Sequence, residues 1–342
     1  MLINYTSEDI KNDKKIHKNF LNANFQELNL NCNIYKGNFY LDSFNYFTVS
    51  DEYKTFDTLF SRDIYQSKEH FYTKDFFDNF KKNINQFKKY KNTFILGSNA
   101  ADNYYSNLLQ FLPRIFFIKN KKIQIAIHRN SSTKFREFIK FILDKKNIEF
   151  SYVYLDDGFY KFTNCEIPQF FNLKKSIRVL KSLLLPSDSA NEDKKIYLTR
   201  EDSSYRKIIN ESDIIPILRA KGYKVINPQL YSIQEQIRIF SQADKIIGPH
   251  GSNLSNIIFS KPGTEIYEIG PEFKSDYEKV FENRYKDLAI INNLKYFRFL
   301  SDTVPVDNHS NLATKYINKK ILINSNYYKN LIVKVKDINN IE

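Results

Sequence analysis

Two periodicities of apolar residues alternate along the middle and later parts of the chain, and the switches between them mark elements. Residues 93–97, Thr-Phe-Ile-Leu-Gly, form a short β-rich run, and a helical stretch follows from about 103 to 116. Residues 123–127 read as a buried strand. Ser132 is placed to cap a helix whose apolar positions Phe135, Phe138, Ile139 and Ile142 recur at i, i+3, i+4 and i+7. Residues 150–154 give the next strand. Strands alternating with helices of this length predict a parallel sheet covered on both faces. The first ninety residues are polar, aromatic and weakly periodic, an irregular α/β lead-in.

Residues 186–194 are polar and aperiodic and read as a linker. Beyond them the pattern is at its most regular. A strand at 196–199 precedes a helix over about 212–221, with Pro216 near its first turn and Gly222 as its stop. A strand at 223–226 is broken by Asn227-Pro228. Ser232 and Glu235 form a Ser-x-x-Glu capping box that opens a helix with Ile233, Ile237 and Phe240 on its apolar face. Strands at 245–248 and 264–269 complete a doubly wound unit. The expected architecture is α/β, with two Rossmann-type domains of parallel sheet, 1–186 and 187–342, and a ligand cleft between them. The tail from about 301 either closes the second domain or crosses back to the first.

A chain of 342 residues suits two domains. Hydrophobic residues at 42% supply a core and exclude wholesale disorder. Cys32 and Cys165 are too few for a disulfide framework or a Cys-rich zinc site, which fits a reducing cytosol. No apolar run approaches the roughly 18 residues of a membrane span, and residues 1–13 lack a signal-peptide apolar region. A soluble cytoplasmic protein is expected. Lys and Arg total 52 against 39 Asp and Glu, a formal charge of +13 that favours anionic partners without choosing among nucleic acid, phospholipid and phosphorylated metabolites. The heavy use of Lys, Ile, Asn, Phe and Tyr accompanies AT-rich coding and accounts for part of that charge.

In open parallel sheets, ligands meet the loops at the carboxyl ends of strands. Three such places carry candidate chemistry. Gly248-Pro249-His250-Gly251-Ser252-Asn253 joins a strand to a helix. Its glycines permit close backbone approach, Ser252 and Asn253 can cap, the helix start suits a phosphate, and His250 can donate to a phosphoryl oxygen. The same letters also describe a plain tight βα turn capped by His250. Arg200 and Arg206, in the loop after residues 196–199 and leading to Asn210-Glu211, can grip phosphate oxygens; a solvated charged loop reads the same way. Glu268 falls at a strand's carboxyl end, where it can accept from ribose hydroxyls or face solvent.

Taken together these residues resemble glycosyltransferase family 61. The likeness runs from Ile196-Tyr197-Leu198-Thr199-Arg200 through Arg206-Lys207-Ile208-Ile209-Asn210-Glu211, Gln236 and Ala243-Asp244. It continues through Gly248-Pro249-His250-Gly251-Ser252-Asn253-Leu254-Ser255-Asn256 to Phe259, Pro262-Gly263-Thr264 and Glu268. Upstream, Asn103-Tyr104 and Leu112-Pro113-Arg114 resemble the family's Asn-Tyr-x-His motif and the Leu-Pro-Arg after it. The resemblance implies a GT-B-like fold whose first domain faces the acceptor and whose second binds a nucleotide sugar, commonly a UDP-sugar. It implies inversion at the anomeric carbon with no obligatory metal and no cofactor. Arg200, Arg206, Asn210, Glu211, His250, Gly251, Ser252, Asn253 and Glu268 are then the donor-side residues. Asn103, Tyr104, Ser106 and Arg114 are the acceptor-side or cleft residues.

Ser106 stands where the family has His, and Gln110 where an acidic residue is common. Inverting transfer needs a base for the acceptor hydroxyl. Asp102, Asp156 and Asp157 are of the right type, with Asp102 the choice because it adjoins Asn103-Tyr104; His128, ending a strand, reads as a turn histidine. The expected function is a glycosyltransferase of surface-polysaccharide assembly (capsule or lipopolysaccharide), acting on a glycan or lipid-linked glycan at the inner membrane face. A silent relative that binds nucleotide or glycan and a nucleic-acid-binding α/β protein are the rival classes.

Overall fold

The computed structural model describes residues 4–5, 20–25, 28, 30–44, 46–51, 55–56, 74–97, 103–185, 194–200, 208–271, 282–303, 333–335 and 338. Asp102, the 186–193 linker and Arg206 lie outside them. The chain divides into two compact units, Met1–Leu183 and Leu184–Glu342.

In the first unit the strands are β1 (Asn4–Tyr5), β2 (Phe20–Phe25), β3 (Leu30–Asp42), β4 (Phe47–Ser50), β5 (Thr55–Phe56), β6 (Lys88–Lys91), β7 (Thr93–Ile95), β8 (Lys122–His128), β9 (Glu149–Leu155) and β10 (Phe159–Pro168). They form a ten-stranded sheet in the order β1-β5-β4-β3-β10-β7-β8-β9, with β2 also on β3 and β6 also on β10. β7, β8 and β9 run parallel, as the periodicity predicts. The expected wholly parallel sheet is corrected here, because β3 pairs antiparallel with β2, β4 and β10. Tyr35, Phe39, Tyr40 and Leu41 of β3 are all buried, so adjacent residues on both faces are covered and no alternation shows in the letters. The helix Thr133–Lys145 begins where Ser132 accepts from the Phe135 N–H at 3.2 Å, and it buries Phe135, Phe138, Ile139 and Ile142.

The second unit is a five-stranded sheet of β11 (Lys195–Leu198), β12 (Lys224–Ile226), β13 (Lys245–Pro249), β14 (Glu265–Gly270) and β15 (Lys295–Leu300), in the order β12-β11-β13-β14-β15. Every pair is parallel. The chain builds outward from β11 to β12, returns to β13 on the other side and continues in that direction. With right-handed crossovers this reversal places connections on both faces and leaves a crevice at the carboxyl ends of β11 and β13. Tyr197, Ile247 and Ile269 on one face pack with Ile214 and Leu218 of the helix Glu211–Ala220, together with Val335 and Ile338 of the tail. The Ser232–Glu235 capping box forms both of its bonds and starts the helix Ile233–Gln242. Gly222, at φ 83°, ends the preceding helix in a conformation that costs glycine little.

Candidate functional site

Arg200 follows β11, and the turn beginning at His250 follows β13, so the topology brings both to the same crevice of the second unit. The side-chain geometry agrees. A Cβ built on Gly251 would stand 2.2 Å from Arg200 Nη1 and 3.0 Å from its Cζ, so the guanidinium rests directly on the glycine's backbone. Gly251 has φ 172°, extended backbone open to any residue, and its requirement for glycine is therefore steric. Gly248 serves a similar purpose lower on β13, where an added Cβ would meet Leu198 Cβ of β11 at 3.0 Å.

The helix after the turn, Ser252–Phe259, is of the 3₁₀ type, and its N-cap is Gly251. The expected capping by Ser252 and Asn253 is corrected, since no side chain caps this helix. Its first bond runs from the Leu254 N–H to the Gly251 carbonyl at 2.9 Å. The amides of Gly251, Ser252 and Asn253 stand ahead of that bond, where helix starts present donors to anions.

His250 does not cap the helix either. Its side chain, 2% exposed, turns into the domain, and Nδ1 donates to Glu268 Oε1 at 2.5 Å. Glu268 Oε2 accepts from the Tyr296 hydroxyl at 2.7 Å, and Tyr285 packs edge-on against the imidazole at 5.1 Å. Glu268 is wholly buried. It is corrected from a ribose acceptor to an internal partner of His250. Burial, then the Glu268 charge, holds the Tyr296 hydroxyl far above its ordinary range, so it remains a donor.

Asn210 and Glu211, expected on the donor, are engaged in the fold. Asn210 bonds the Val335 backbone in both directions, Nδ2 to the carbonyl at 2.8 Å and the amide to Oδ1 at 3.1 Å. Buried Glu211 accepts from the Tyr197 hydroxyl at 2.6 Å inside the core. Gln236 and Thr264 are likewise structural: Gln236 Nε2 donates to the Pro228 carbonyl at 2.7 Å, and Thr264 Oγ1 to that of Ala243 at 3.0 Å.

In the first unit Asn103 is the N-cap of a helical run, its Oδ1 accepting from the Ser106 N–H at 2.8 Å. Tyr104 is half-buried with its ring 6.1 Å from Phe138, and Ser106 is buried. The run continues through a π-turn at Asn107–Phe111 into a 3₁₀ segment at Leu112–Phe117. Arg114 is corrected from an acceptor-side residue to a core residue, its guanidinium completely buried. It donates to the Pro168 carbonyl at 3.1 Å and to the Tyr46 hydroxyl, and lies over the rings of Tyr46 and Phe170 at 4.9 and 4.6 Å. Burial pulls its pKa down.

At the carboxyl ends of β8 and β9, His128 Nε2 lies 2.8 Å from Asp157 Oδ1, and its Nδ1 accepts from the Asn130 N–H at 3.1 Å. Burial outweighs the neighbouring carboxylates and lowers the His128 pKa. Arg129 pairs with Asp156 at 2.6 Å. Among the described residues no group of three or more His, Cys, Asp and Glu side chains converges as a metal site, and no helix is long and apolar enough to cross a membrane.

Sequence reasoning missed β15 and with it Tyr296. The aromatic run Tyr296-Phe297-Arg298-Phe299 was the available signal, but this edge strand leaves residues on both faces partly exposed. A small pocket lined by Asp244, Lys245, Lys261 and Glu265 sits at the amino ends of β13 and β14, the sheet edge opposite Arg200.

Comparison with known proteins bears on residues 104–267, which match the family model described as Glycosyltransferase 61. A curated relative, the EGF domain-specific O-linked N-acetylglucosamine transferase of Gallus gallus, is 25% identical over 127 residues, 35% of this chain and 22% of that protein. The match thus spans about a fifth of the relative's length. The crystal structure of the bacterial iron-containing dodecameric glycosyltransferase TibC from enterotoxigenic E. coli H10407 overlaps 56% of this chain and 62% of its own, at 11% identity and a TM-score of 0.31.

Proposed function

We propose that this chain, whose residues 104–267 match the family model described as Glycosyltransferase 61, moves a sugar from a nucleotide diphosphate donor to a glycan acceptor. The observation that carries the reading is the seat of the Arg200 guanidinium on Gly251, at the strand-order reversal of the second unit. A cation and a row of amides at one place suit a diphosphate, each charge-assisted bond contributing about 1.5–3 kcal/mol.

During transfer the acceptor oxygen bonds to the anomeric carbon as the bond from that carbon to the phosphate oxygen breaks. The electron pair leaves on the diphosphate. Arg200 and the amides of Gly251, Ser252 and Asn253 stabilise that charge, the role fixed donors play for developing anions. The acceptor proton passes to a carboxylate, for which Asp102 remains the proposal. Arg206 is proposed as a second guanidinium on the donor. A UDP-sugar donor, inversion, no need of a metal, and a place in surface-polysaccharide assembly at the inner membrane face all rest on the family resemblance.

Calorimetry with UDP tests the reading. Wild-type chain is expected to bind, and Arg200→Ala to weaken binding at least tenfold with little change in unfolding midpoint. Equal binding by the variant, or a large loss of stability, would make Arg200 a structural residue. Nucleotide binding without turnover on any glycan would instead indicate a silent relative.

A further inference from the structure

The His250–Glu268–Tyr296 chain asks for an explanation that donor contacts alone do not give. Glu268 sits on β14, wholly buried, with its register partner Arg298 on β15. A carboxylate inside a protein is tolerated when it is hydrogen-bonded and charge-balanced. Arg298 is directed elsewhere, Nη1 to Glu282 at 2.8 Å and Nη2 to the Pro271 carbonyl at 2.6 Å. Tyr296 gives Glu268 a hydrogen bond and no charge. The group that meets Glu268 most closely and can carry a positive charge is His250, at 2.5 Å.

We propose that Glu268 and Tyr296 hold His250 as an imidazolium, so that the phosphate-facing turn carries a second fixed positive charge beside Arg200. Glu268 and Tyr296 are then positioning residues for donor binding. This rests on the reading that the second unit binds a nucleotide diphosphate, and it assigns how charge is supplied there.

The groups around the imidazole decide its charge. Glu268 favours the protonated ring from β14. Arg200, in the loop after β11 and packed on the adjacent Gly251, opposes it, as does Arg298 from β15. Tyr285, from the helix Arg284–Ile291, presents an aromatic ring edge-on. The Glu268 contact is direct and sealed from water, so the carboxylate dominates. The charge then belongs to the turn itself, one residue before the amides that precede the helix.

The test uses the full chain, with uridine diphosphate as probe. Glu268→Gln keeps the size of the side chain and removes its charge, and Tyr296→Phe removes one bond to it. At pH 7.5 Glu268→Gln is expected to weaken UDP binding about tenfold, and Tyr296→Phe less. Nitrogen NMR of the labelled imidazole reads the charge state directly, assigned by the loss of one signal in His250→Gln. An imidazolium spectrum in the wild type at pH 7.5 that becomes neutral in Glu268→Gln supports the proposal. A neutral wild-type ring, or an imidazolium that persists unchanged in Glu268→Gln, overturns it in favour of a purely structural contact. If wild-type chain binds no UDP, the functional reading fails and the donor role with it, while the spectrum still decides the charge.

Discussion

Alanine at residue 251 separates the proposed site from the fold more sharply than any loss of a charged side chain. Its Cβ would begin 2.2 Å from Arg200 Nη1, so the guanidinium must retreat roughly 1.3 Å to reach an ordinary contact of about 3.5 Å. The atom in the way is the far end of a flexible side chain, and φ 172° suits alanine. The cost to folding is therefore small, about 0.5 kcal/mol, as for substitutions away from core features. The cost to binding is not small. An arginine displaced by more than 1 Å loses most of a charge-assisted bond of about 1.5–3 kcal/mol, which is roughly a ten- to hundredfold rise in Kd. Calorimetry with UDP on wild type, Gly251→Ala, Arg200→Ala and the double variant forms a cycle, and chemical denaturation gives the stabilities. The double variant is expected to bind no worse than Arg200→Ala alone, because both changes remove the same contact. Additive losses, or a Gly251→Ala chain that binds like wild type, would refute the reasoning.

Two further outcomes concern the fold. Glu211→Ala leaves the buried Tyr197 hydroxyl without its 2.6 Å acceptor and is expected to destabilise the second unit by about 1–3 kcal/mol; UDP affinity measured where the chain remains folded should be unchanged. The lowered pKa of His128 means the unfolded chain binds that proton more readily than the folded one. The stability it contributes is present above the unfolded value, about 6.5, and is lost as pH falls below it. Protection of the β8 and β9 amides, taken relative to their slowing intrinsic exchange, should therefore fall between pH 7 and 5, and His128→Asn should flatten that dependence.

Local signals carried much of the second unit. The Ser232–Glu235 box, Gly222 and the run into Gly248 each act within a few residues, and their elements form close to the expected bounds. What the letters could not convey is tertiary. Glu268, Glu211, Asn210 and Arg114 have the residue types of ligand contacts, yet each meets another part of the same unit. A buried polar partner and a ligand-binding group demand the same chemistry at the same spacing, and only the neighbour distinguishes them. Arg200 and Gly251 lie 51 residues apart in sequence, and nothing local ties them. In the first unit, β3 runs for 13 residues with Asn and Gly among its aromatics, so neither periodicity emerges. Its antiparallel partners stayed hidden with it.

The most direct measurement is a crystal structure of the chain with UDP bound. The phosphates are expected at the carboxyl ends of β11 and β13, within hydrogen-bonding reach of Arg200 and the amides of Gly251, Ser252 and Asn253. A nucleotide seated at the opposite sheet edge, against Asp244 and Lys261, or bound with Arg200 turned away from it, would contradict that placement.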